Sequence, residues 1–166
     1  MRNLVAVPVI LLTVILQSAV ISRVYLLSGI ADLPLVMLVA WALQEQVDSA
    51  WHWAAATGLL VGFISGIPWL VPVLGYIAVV ALAHIFQRRV WQAPLLAMFS
   101  ITFLGTIIIS LLSLGVLRFL DVPLPVSDVL GLLTLPSVLL NMLLAIPTYA
   151  VMRDIARWVY PSPEVE

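Results

Sequence analysis

The chain has 166 residues, of which 64% are hydrophobic and 9% charged, whereas a soluble domain carries about 25% charged residues; a water-soluble fold is excluded. Its cations are seven arginines with no lysine, set against eight Asp plus Glu for a formal net charge of −1, so it has no basic surface for nucleic acid. Cysteine is absent, which removes disulfides, iron–sulfur clusters, thiolate zinc sites and cysteine nucleophiles together.

A hydrocarbon core of about 30 Å takes roughly 20 helical residues to cross, and only helices or closed barrels satisfy their backbone there. The sequence therefore predicts an all-α, polytopic membrane bundle with about six spans, at residues 4–22, 30–44, 51–66, 69–86, 94–117 and 129–152. Residues 1–160 form one membrane domain and 161–166, with two prolines and two glutamates, a flexible tail. Arg2 followed by an apolar run has the look of a signal peptide, but the run resumes at Val20 and Ile21 without a small-x-small cleavage pair, so it is expected to be a retained span.

The second and third predicted spans are short, which suits helices shielded inside the bundle or partly re-entrant. Asp32, with Pro34 two positions on, reads as the start of the second: the carboxylate caps exposed amides and the proline fits the first turn. Residues 44–48 form a polar, solvated turn. Along the third span Ala54, Gly58, Gly62 and Gly66 recur every fourth residue, a smooth groove that lets another backbone approach closely. Either the bundle's own helices or another protein fills that groove. Ser65, Gly66, Ile67 and Pro68 make the reversal into the fourth span.

Polar residues recur inside the later spans. Thr102, Thr106, Ser110 and Ser113 line the fifth, while Ser137, Asn141, Ala145 and Thr148 share a face of the sixth. Asn141 near mid-span must find a partner, because an unpaired amide in hydrocarbon costs several kcal/mol. Thr13 and Gln17 form a similar stripe on the first span. These groups read as glue between helices, or else as the lining of a solute path. Asp32, expected near the outer end of its helix, is the one carboxylate away from a span boundary or loop, which argues against an ion-coupled pump.

No reaction centre is legible. His52 and His84 stand alone near span ends, Ser65 lacks a nucleophile elbow, and no P-loop occurs. The expectation is a protein that is no enzyme, with no catalytic, cofactor-binding or metal-binding residues.

Orientation follows from arginine. With a cytoplasmic start, Arg2, Arg88, Arg89, Arg153 and Arg157 fall inside and only Arg23 and Arg118 outside, so both termini are expected in the cytoplasm. Trp51, Trp53, Trp69, Trp91 and Trp158 lie near span ends, as interfacial belts require.

The order of these features, with Gly29 to Pro34 opening the second helix, Gly58 to Gly66 on the third, Leu74–Gly75 in the fourth and Leu135 to Asn141 followed by Ala145, Pro147 and Arg153, resembles the MreD family of rod shape-determining membrane proteins. The likeness covers nearly the whole chain. Asp32 and Asn141 match family positions, neither of them catalytic there, whereas the aspartate the family often carries before the Ser-Gly of the third helix is missing from Val61, Gly62, Phe63 and Ile64. The resemblance implies a non-enzymatic scaffold in the bacterial cytoplasmic membrane that binds MreC and works with the actin-like MreB and a glycan polymerase and transpeptidase pair in lateral cell-wall synthesis. It also implies a shape similar to the substrate-binding S components of energy-coupling-factor vitamin transporters. That alternative function requires an outer-face pocket of about 300 to 1,000 Å³, for which Arg23, Tyr25, Trp69 and Arg118 are the candidates beside their reading as interfacial anchors.

Overall fold

A computed structural model describes residues 5–45, 47–87, 93–122 and 125–160. Among them the chain forms six helices: α1 (Ala6–Ala19), α2 (Leu33–Ala42), α3 (Ala50–Ser65), α4 (Leu70–Gln87), α5 (Pro94–Phe119) and α6 (Val126–Val159). Four of these are long and apolar enough to cross a membrane: α1 with its 3-10 continuation to Arg23, α4, α5 and α6. The protein is thus an all-α bundle of membrane character. Arg2, Arg88, Arg89, Trp91 and the tail at 161–166 lie outside the described residues.

α2 is the centre of the molecule. Pro34 and every residue from Leu35 to Ala42 are buried, because a helix apolar on all sides is stable only when its neighbours surround it. α1, α3, α4, α5 and α6 all pack on it. Ten residues at 1.5 Å each give a rod of about 15 Å, half the thickness of the hydrocarbon core. The second predicted span therefore begins late, at Leu33 rather than residue 30. Ahead of it the chain makes a small hairpin, β1 (Tyr25–Leu26) against β2 (Gly29–Ile30), whose first turn residue, Leu27, has φ +55°. A positive φ there belongs to the mirror-image turns that join tight hairpins. β2 lies hard against α6: a Cβ on Gly29 would sit 2.7 Å from the Leu133 carbonyl oxygen and the Ser137 nitrogen.

Near its start α6 widens into a π-helical stretch, Val129–Thr134, closed by the Thr134 hydroxyl donating to the Val129 carbonyl at 3.0 Å. In the same stretch the Leu132 carbonyl accepts from the Ser28 N–H at 3.2 Å. The widened turn thereby ties the hairpin to the bundle.

The belt assignment needs one correction. Trp53 is 2% exposed and stacks on Trp41 with ring centroids 4.3 Å apart. Two residues along a helix are about 200° apart, so Trp51 and Trp53 cannot both face lipid. Trp51 takes the outer side, over the His84 ring at 5.3 Å, and Trp69 and Trp158 are exposed.

Candidate functional site: a polar seam around Asp32

Residues 30–33 are non-helical or only entering a helix, yet they are held among apolar helices, where each N–H and C=O must find a partner inside the protein. Side chains of α1 and α6 supply them. The Gln17 amide donates to the Ala31 carbonyl at 2.8 Å and accepts the Leu33 N–H at 2.9 Å, clamping both sides of Asp32. From α6, Ser137 Oγ accepts the Ile30 N–H at 3.1 Å and Asn141 Oδ1 accepts the Asp32 N–H at 2.6 Å. Asn141 then donates through Nδ2 to Thr106 Oγ1 at 2.8 Å, and Thr106 donates to the Thr102 carbonyl at 2.8 Å.

The Asp32 side chain closes the seam on the other side. Its Oδ1 accepts the Leu35 N–H at 3.0 Å, the N-cap bond expected of an aspartate before Leu33 and Pro34. The Tyr76 hydroxyl donates to the same carboxylate, 3.0 Å from Oδ1 and 3.2 Å from Oδ2. Asp32 enters no ion pair among the described residues; the pair found there is Arg153 with Asp154, exposed, at 3.5 Å.

Depth follows from the partners. Thr106 is the thirteenth of the 26 residues of α5, and Asn141 is the sixteenth of the 34 of α6. Asp32, at the start of α2 as the sequence leads one to expect, is bonded to Asn141, which in turn bonds Thr106.

Next to the carboxylate is a cavity of about 160 Å³ lined by Asp32, Thr106, Ser110, Ser137 and Asn141, with Ile30, Leu35 and Ile109 as its apolar wall. It has room for a few waters. A vitamin-sized ligand needs about 300 Å³ or more. Arg23, Trp69 and Arg118 do not line this cavity, and the Tyr25 side chain lies outside the described residues.

The other sequence candidates fall elsewhere. Ala54, Gly58 and Gly62 are buried on α3, and α4 fills their groove: a Cβ would lie 2.6 Å from Val73 Cα at Gly58 and 2.7 Å from Trp69 Cα at Gly62. Gly66 is not part of that groove. It caps α3 in the left-handed region at φ +67° with nothing within 4 Å of its would-be Cβ, since the helix has ended before the four-residue period reaches it. Thr13 bonds back to the Val9 carbonyl at 2.7 Å within its own helix instead of gluing two together. His84 Nδ1 lies 2.9 Å from the Val80 carbonyl, one turn back, and His52 is exposed. Tyr76 escaped the sequence reading, although a phenol inside an apolar span carries a hydroxyl that must be matched. Among the described residues, the buried side-chain atoms Trp41 Nε1, Thr57 Oγ1 and Thr102 Oγ1 have no partner.

No family model matches the chain, and neither does any curated protein or solved structure.

Proposed function

We propose that the protein is a non-enzymatic scaffold subunit of the bacterial elongation machinery, a six-span protein of the cytoplasmic membrane with both termini inside, similar in shape to the transporter S components. Its partner is MreC, with MreB and the glycan polymerase and transpeptidase pair in the same assembly. The partner names rest on the MreD resemblance of the sequence. One structural observation supports the scaffold reading: Gln17, Ser137 and Asn141, polar side chains inside the bundle, bind its own backbone and anchor residues 30–33. Such a framework holds a fixed outer shape for another chain to grip. Because α4 occupies the glycine groove, the surface offered to a partner is the outside of the bundle, and Gly62→Leu would disturb α3 against α4 before it touched any partner.

The test is extraction of the tagged full chain in mild detergent with identification of what accompanies it. A single-span protein with a coiled-coil outer domain is the expected companion. Recovery of transport ATPase subunits, or of a stoichiometric vitamin-like molecule, overturns the scaffold in favour of the transporter subunit.

A further inference from the structure

We propose that the cavity beside Asp32 is a binding site for a small monovalent cation, with sodium as its probe. The first ground is charge. A carboxylate lodged among apolar helices needs a positive partner or a full set of donors. Around Asp32 every contributing element presents a neutral group: Gln17 from α1, Tyr76 from α4, Thr106 and Ser110 from α5, Ser137 and Asn141 from α6. Oδ1 receives the Leu35 N–H and the Tyr76 hydroxyl, while Oδ2 has only the longer share of that hydroxyl. The same residue lines the cavity.

The second ground is the polarity of the lining. Asn141 is fully buried and Thr106 is 5% exposed, so their orientations are set by their bonds. Thr106 sends its one hydrogen to the Thr102 carbonyl and accepts from Asn141, leaving a lone pair and no donor. Asn141 Oδ1 takes the Asp32 N–H and keeps its second lone pair. With Asp32, Ser110 and Ser137 also in its lining, the cavity is walled by oxygen-bearing side chains, one of them a carboxylate. Hard cations prefer oxygen. No group of three His, Cys, Asp or Glu that could hold a metal occurs among the described residues, so a transition metal finds no ligand set, and one carboxylate suits one positive charge. About 160 Å³ holds the ion together with a few waters that complete its shell. The site stands independently of any partner protein.

The test uses the full chain in detergent, with thermal unfolding followed by tryptophan fluorescence while sodium chloride replaces choline chloride at constant ionic strength. The expected result is a saturable rise in melting temperature with sodium. Asp32→Asn should abolish the response, and Ser110→Ala, which touches no bond of the seam, should keep the sodium-free melting point but need roughly tenfold more sodium for half the effect. Should Asp32→Asn fail to fold, binding of radioactive sodium to the wild type, displaced by unlabelled sodium and weakened by Ser110→Ala, carries the same decision. Equal melting in sodium and choline, a sodium response unchanged in either variant, or the absence of displaceable bound sodium overturns the proposal.

Discussion

Asn141 does the work of two side chains, accepting from the backbone of residue 32 and donating to Thr106. Replacing it by leucine keeps the bulk and strands the Asp32 N–H, and an unmatched buried polar group costs about 1 to 3 kcal/mol. Asn141→Leu should therefore lower the melting temperature of the purified protein by several degrees. Thr102→Val is expected to act in the opposite direction. Its hydroxyl is buried without a partner, so removing it relieves a desolvation cost of about 1 kcal/mol or more, and the same melting assay should show a rise or no loss. That Asn141 must be paired is legible from the sequence, because an amide at mid-span has no water to turn to. That the partners are the Asp32 amide and Thr106 is not legible, since they stand 109 and 35 residues away and only the packing of three helices brings them together.

Among the elements, the third helix separates two uses of glycine that look alike in sequence. The four-residue period of Ala54, Gly58 and Gly62 is visible in the letters, but not that α4 fills the groove, nor that Gly66 has left the helix. Gly58→Leu would drive a side chain into the Val73 backbone, and such overpacking costs about 1 to 3 kcal/mol or more. Loss of the folded, monodisperse species in size-exclusion chromatography is expected. Gly115→Ala in α5 meets open space and should leave that profile intact, with a melting point equal or higher by up to about 1 kcal/mol of helix propensity. Gly66→Ala fails for a different reason: its φ of +67° penalises a Cβ by about 1 to 2 kcal/mol, so the melting point drops without any clash. The hairpin before α2 left no trace in the sequence. Two strands of two residues each are too short to display the alternation by which strands are recognised, and their stability comes from α6.

For the molecule as a whole, composition and apolar run lengths sufficed to expect an all-helical membrane bundle, because the cost of unpaired backbone in lipid allows few alternatives. The buried place of α2 was legible too, since a short run apolar on all sides calls for a helix shielded by its neighbours; which helices surround it is a property of the assembly. The proposed six-span orientation can be tested directly, since a chain without cysteine gives no background to thiol labelling. Asp48→Cys, between α2 and α3, should react with an impermeant maleimide only after the inner face is opened, and Ser127→Cys, at the start of α6, should react from outside in intact cells. Labelling of both from one side would refute the topology. The seam around Asp32 also imposes an order on biogenesis. Residues 30 and 32 leave the ribosome 107 and 109 residues ahead of the serine and asparagine that complete them, a delay of roughly 5 to 20 s at ordinary translation speeds. During that interval the hairpin and the half-length helix behind it lack their final berth, so they must wait in the translocon, at the interface or under a membrane chaperone. A chain halted before its last helix should accordingly be a ready substrate for membrane proteases.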